Sequence, residues 1–216
     1  MPDEPLAATD RAGILLGAAE RMKSATSRMS HFIWSYRAWG AVALCAVAAS
    51  VLAAPGLPGV LGGGLAVVMI AIAAIDARRF VIPDKLVLAG LLLGFVEASI
   101  GQSELVTTAL LGSALRSIAL ALAFWGFRAA YRRLRGREGI GLGDVKLAAV
   151  AGAWLGWTAA ALAIDIAALS ALAVVLIRAL RGQRITSTTA VPFGLFFAPA
   201  IWLAWLFEAM SWRLTL

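Results

Sequence analysis

The chain has 216 residues, of which 62% are hydrophobic and only 14% charged. A water-soluble domain of this length is nearer half apolar and a quarter charged, so the composition excludes an ordinary soluble fold. The formal net charge of +7 would also suit a nucleic-acid-binding protein, and the placement of the charges decides between the two.

Residues 1–37 form a polar, mixed-charge segment expected on the cytoplasmic side. Within it, RAGILLGAAERMK (11–23) suits a short amphipathic helix on the membrane surface and a loosely ordered tail equally. Residues 38–216 read as one membrane domain. Its apolar stretches at 38–54, 60–76, 86–101, 105–127, 145–158, 160–177 and 190–210 predict about seven transmembrane helices. The expected fold is all-α, a polytopic membrane helix bundle. Turn signals separate the stretches. APGLPG (54–59) links the first two, Pro83 in IPD (82–84) bars Ile82 from helical geometry, and the glycine-rich RGREGIGLG (135–143) leads into the fifth.

All of the 19 Lys and Arg residues except Arg116 and Arg213 fall in residues 1–37, 77–85, 128–146 and 178–189. The alternate gaps near 55–59, 102–104 and 159 hold none. This bias places the N-terminus in the cytoplasm and, with seven spans, the C-terminus outside. No nucleic-acid partner is needed to explain the charge. Cys45, the one cysteine, lies in the first apolar run, and His31, the one histidine, lies in the polar segment. Neither a disulfide framework nor a metal site is expected.

Ionisable groups inside apolar helices are costly and therefore informative. Glu97 and Glu208 lie near the outer ends of their spans, where a carboxylate reaches water. Arg116, midway along the fourth span, and Asp165, in the sixth, suggest a buried pair locking two helices. Asp76 and Asp144 differ from these. The topology puts both at the cytoplasmic ends of helices, Asp76 closing the second and Asp144 opening the fifth. Two carboxylates at one depth suit amide hydrolysis, one ionised to activate water and the other protonated to donate to the carbonyl oxygen. Helix polarity favours Asp144 as the anion and disfavours Asp76, although Arg78 and Arg79 oppose that assignment. Each aspartate also has an ordinary reading: an N-cap for Asp144, and a solvated helix end for Asp76.

The surrounding residues favour the chemical reading. AAIDARRFVIPDKL (73–86), followed by GLGDVKLAAVAGAWLGW (141–157), resembles the prepilin peptidases, the type IV leader peptidases among the GxGD membrane aspartyl proteases. In that family an aspartate precedes an Ile-Pro-Asp or Ile-Pro-Asn stop, and a second belongs to Gly-x-Gly-Asp with lysine two residues on. Here these correspond to Asp76 before Ile82, Pro83 and Asp84, and to Gly141, Gly143, Asp144 and Lys146. VPFGLFFAPA (191–200) is similar to the family's Pro-Phe-Gly-Pro-Phe segment through Pro192, Phe193 and Gly194. Leu195 stands where proline is usual, a change expected to affect helix packing without touching a catalytic group.

The resemblance implies that Asp76 and Asp144 are the catalytic pair and that no metal or cofactor takes part. It implies a multi-pass protein of the bacterial inner membrane that cleaves the basic leader of prepilin-like proteins after its glycine, at the cytoplasmic face. Gly141 and Gly143 suit a side-chain-free approach strand alongside an unwound substrate. Asp84 is expected to cap the third helix, and Lys146 to anchor to headgroups or to a carboxylate. The partners implied are the prepilin-like substrate, the lipid bilayer and the assembly machinery of a pilus or secretion system. Longer members carry a cysteine-rich module linked to methylation. With its single cysteine the chain resembles the short, peptidase-only branch associated with tight-adherence (Flp) pili. The alternative reading is a non-catalytic membrane assembly factor of a pilus or secretion system.

Overall fold

The computed structural model describes residues 37–100, 106–136, 139–182 and 192–214, and these residues are helical with short connections. The helices are α1 (Arg37–Ala53), α2 (Leu57–Arg79), α3 (Asp84–Ser99), α4 (Val106–Arg135), α5 (Leu142–Trp154), α6 (Trp157–Leu180) and α7 (Gly194–Leu214). Each falls on one of the seven predicted stretches. By length and composition α2, α4, α6 and α7 suffice to cross a membrane. The protein is thus an all-helical, polytopic membrane bundle. The 13 residues of α5 reach only about 20 Å, short of a ~30 Å hydrocarbon layer. The segment 11–23 and His31 lie outside the described residues.

The chain separates into two units, Met1–Val42 and Ala43–Leu216. Only the opening residues of α1 are described in the first. In the second, the most enclosed element is α5, which packs against α3, α4, α6 and α7. Leu147, Ala148, Val150 and Ala151 on α5 are fully buried. On α4, Leu111, Leu115, Ile118 and Leu122 are exposed instead, as lipid-facing positions should be.

Lipid tails are as apolar as leucine, so helices in a bilayer associate through close backbone approach and interhelical hydrogen bonds. The α4–α5 seam uses both. A Cβ on Gly152 would stand 2.4 Å from the Arg116 carbonyl oxygen, so only glycine permits the crossing. One turn apart on α4, the Ser113 and Ser117 hydroxyls donate to the carbonyl oxygens of Ala153 (2.7 Å) and Ala149 (2.8 Å), also one turn apart on α5. The Trp154 indole N–H donates to the Gly90 carbonyl at 2.8 Å, tying the far end of α5 to α3.

Helix α2 stops where Pro83 requires. Phe80 takes the left-handed conformation (φ 53°) and its N–H donates to the Asp76 carbonyl oxygen at 2.9 Å. The chain then runs extended into Pro83, the N-cap of α3.

One sequence expectation fails here. Asp165 is exposed, and no ion pair joins it to Arg116 among the described residues. Arg116 instead lines a cavity with Glu97 of α3 and Glu208 of α7.

Candidate active site

Asp76 lies in the last turn of α2 and Asp144 in the first turn of α5, and both are buried, at 5% and 9% exposure. They line one cavity of about 350 Å³ together with Gly141, Gly143, Lys146, Pro192 and Phe193. Residues separated by more than a hundred positions thus converge at the end of the bundle that carries the basic segments. Three predicted site residues stand at the edge. Gly194 abuts Asp76, with a hypothetical Cβ 2.8 Å from its Oδ2. Pro83 shapes the turn behind the cavity. Asp84 pairs with Lys146 at its rim instead of capping α3, whose N-cap is Pro83.

Each carboxylate is held by a backbone N–H. Asp144 Oδ2 accepts from Gly141 at 3.2 Å, and the Asp144 N–H donates back to the Gly141 carbonyl at 3.2 Å. Asp144 is therefore the third residue of the helix, reaching back to its N-cap. The glycine approach is fixed from outside by the Arg128 guanidinium, which donates to the Ile140 carbonyl at 3.0 Å. Asp76 Oδ2 accepts from the Leu195 N–H at 3.0 Å.

That last bond overturns two sequence expectations. Leu195 does touch Asp76, through a backbone donor that proline would lack. The polarity argument also changes. Asp76 closes α2 but faces the N-terminal turn of α7, where the Leu195 N–H and the positive end of the helix dipole favour an anion. Both aspartates therefore meet a helix N-terminus, and polarity does not set Asp144 apart as the anion. No sequence signal marked α7 as the neighbour of Asp76 beyond the Pro192–Gly194 resemblance.

Asp144 precedes the apolar run of α5, and its carboxyl is pushed up to about 6. Burial is the main cause, the Gly141 N–H opposes it, and the Asp76 charge adds to it. The two acids are thus close enough to influence each other's ionisation.

Ile82 was not among the predicted site residues. Its side chain sits between Gly143 and Gly194: a Cβ on either would stand 2.8 and 2.9 Å, respectively, from Ile82 Cδ1. Gly143 is helical, and its missing side chain makes room for Ile82, which differs from the approach-strand role expected for it. The signal for Ile82 was available in its place between Asp76 and Pro83, but its direction depends on the turn at Phe80.

The fold and site define a polytopic helical membrane protein with two buried aspartates at one end of the bundle. The model of the type IV leader peptidase family matches residues 63–177, just over half of the chain and including both aspartates, and the chain belongs to that family. A "Prepilin leader peptidase/N-methyltransferase" of Stutzerimonas stutzeri is 37% identical over 138 residues, covering 63% of this chain and 45% of the relative. Proteins of the same name from Pectobacterium carotovorum subsp. carotovorum and Aeromonas hydrophila are 37% and 32% identical, over 74% and 80% of this chain and 54% and 59% of theirs. The chain spans about half the length of the curated relatives it matches. No solved structure matches it.

Proposed function

We propose that this protein is a membrane aspartyl endopeptidase that removes the basic leader of prepilin-like proteins at the cytoplasmic face of the bacterial inner membrane, with Asp76 and Asp144 as its catalytic pair. The observation that carries the reading is that both aspartates face one cavity, each holding Oδ2 on a backbone N–H. Both of those bonds are made to Oδ2.

The roles follow from the surroundings. Asp76, on the α7 N-terminus, serves as the base. Asp144, pushed up to about 6, retains its proton more readily and serves as the acid. Asp76 takes a proton from water as the water oxygen bonds to the scissile carbonyl carbon, and Asp144 donates its proton to the carbonyl oxygen. Asp76 then passes its proton to the amide nitrogen as the C–N bond breaks, and Asp144 recovers its own from the diol. One water is consumed and both acids return to their starting states.

Gly141 adds no side chain to the cavity wall beside Pro192 and Phe193, which suits an unwound peptide there. Among the described residues the cavity brings no acidic side chain beyond the pair to meet a basic leader. Specificity then rests on the substrate's apolar helix, lying between membrane helices, with pilus or secretion machinery as a further partner. Residues 1–37 form the cytoplasmic segment of this arrangement, and 38–216 its membrane peptidase domain.

Co-expression with a prepilin-like substrate tests the proposal. The wild type should shorten the substrate on a gel, whereas Asp76→Asn and Asp144→Asn should each leave it full length at unchanged enzyme level. Processing by both variants would remove the aspartates from the mechanism.

A further inference from the structure

A second cavity, of about 580 Å³, lies at the other end of the bundle. Along α2 its lining residue Pro58 is about 27 Å from Asp76, at 1.5 Å per residue. Glu97 of α3, Arg116 of α4 and Glu208 of α7 face it, beside the indoles of Trp154 and Trp205. Charges buried in a bilayer normally close on one another. These do not: among the described residues no ion pair joins Arg116 to either carboxylate, and the buried Arg116 Nε has no hydrogen-bond partner. Glu208 is fixed in place, accepting the Gly156 N–H at 3.3 Å across the start of α6.

Two carboxylates and a guanidinium spaced around a cavity call for a molecule carrying both charges. The Arg116 guanidinium calls for an anionic oxygen, and the carboxylates for a cation with N–H donors. A divalent metal fits poorly, because the third charged group is itself a cation. The source of the molecule is indicated by a neighbouring cleft of about 180 Å³ between α6 and α7, which also meets Glu208. Its walls include Leu162, Ala204 and the largely exposed Phe207. An apolar slot opening beside a zwitterion-lined cavity suits the first methylenes of an acyl chain beside its headgroup.

We propose that the cavity between Glu97, Arg116 and Glu208 binds a phosphoethanolamine headgroup, phosphate on Arg116 and ammonium between the glutamates, with an acyl chain of the same lipid in the Leu162–Phe207 cleft. This site is independent of the peptidase reading.

The test uses the purified full chain in detergent, given equimolar phosphatidylethanolamine, phosphatidylcholine and phosphatidylglycerol with identical chains. Retained lipid is counted by native mass spectrometry. The ethanolamine lipid should be retained about tenfold over the other two, the preference expected from one hydrogen bond to a charged group. Arg116→Gln and Glu208→Gln should each abolish that preference. Leu162→Trp, which blocks the cleft without touching a charge, should lower retention of all three, and decides the matter if the charge variants do not fold. Soluble glycerophosphoethanolamine should fail to displace the lipid; displacement at similar concentration would show that the free zwitterion suffices and overturn the lipid assignment. Equal retention of the three lipids, or unchanged preference in folded variants, would overturn the site itself.

Discussion

The two ends of the bundle each bring a pair of carboxylates to a cavity, and they neutralise them differently. Near the basic segments, Asp76 and Asp144 rest on the N–H groups of Leu195 and Gly141. At the other end, Glu208 also accepts a backbone N–H, from Gly156, but Glu97 and Glu208 share their cavity with the Arg116 guanidinium as well. A guanidinium keeps its proton at any accessible pH, so it supplies a permanent counter-charge. Backbone donors orient a carboxylate and favour its charge without cancelling it, leaving a second acid nearby to hold the proton. An acidic pair in a membrane is fit for proton traffic when backbone holds it, and for binding when a fixed cation stands beside it.

That contrast predicts its own largest effect. Asp76→Asn and Asp144→Asn should lower leader cleavage by about 10³-fold, within the range for removing a general acid or base. Glu97→Gln and Glu208→Gln should leave the rate within about twofold, since Glu208 stands about 20 Å along α7 from Leu195, the residue on Asp76, and Glu97 about 20 Å along α3 from Asp84 at the cavity rim. Comparable losses at both ends, measured as initial rates in one detergent preparation, would erase the distinction.

The next effect concerns the backbone support. Gly194→Ala would put a methyl carbon 2.8 Å from Asp76 Oδ2 and 2.9 Å from Ile82 Cδ1, so the carboxylate must move. A displacement of that kind should cost about 10²-fold in cleavage rate. Gly126→Ala, where a Cβ meets nothing within 4 Å, should cost none and controls for the substitution itself. A full rate in Gly194→Ala would mean that Asp76 does not depend on its position against α7.

Sequence carried the seven helices because apolar runs broken by Pro, Gly and clustered Arg are local signals. It carried the common end of the bundle that Asp76 and Asp144 share, because alternation of charge between gaps reports which end of each helix they occupy. Spatial partners were not legible. Arg116 lies at a similar depth to Asp165 and carries the opposite charge, but the direction of a side chain around a helix lined with apolar residues on every face leaves no trace in hydropathy. Ser113 and Ser117 were equally silent: two small polar residues a turn apart become meaningful only once the carbonyls of Ala149 and Ala153 stand opposite. Leu195 misled for a related reason. Its contribution to Asp76 is its N–H, and a side-chain reading does not register a main-chain donor.

A smaller effect is predicted from titration. The raised pKa of Asp144 means that the folded chain holds this proton more tightly than the unfolded chain does. Below the ordinary carboxylate range both states are protonated and burial costs nothing. As pH rises towards about 6 the unfolded chain releases its proton first, so stability falls, and the full cost is present above that value. Asparagine carries no such cost and still offers an oxygen to the Gly141 N–H. Asp144→Asn should therefore melt a few degrees above wild type at pH 8, with the gap closing as pH falls from 6 towards 4. A gap independent of pH would show that the Asp144 carboxyl is not titrating in that window.

The smallest effect belongs to the rim. Lys146 and Asp84 tie α5 to α3, but their side chains are 42% and 77% exposed, so water and salt screen the attraction. Lys146→Ala should lower stability by less than about 1 kcal/mol, an effect that shrinks further in high salt. Lys146 also lines the cavity of Asp144, and this separates two roles that a stability measurement cannot. If the lysine only fastens α5, Asp84→Ala and Lys146→Ala should change cleavage equally and slightly. If its ammonium meets the substrate, Lys146→Ala alone should raise KM while Asp84→Ala does not. The exposure of the pair and the enclosure of α5 by four other helices favour the first outcome, because α5 is already held by Gly152, Ser113, Ser117 and Trp154.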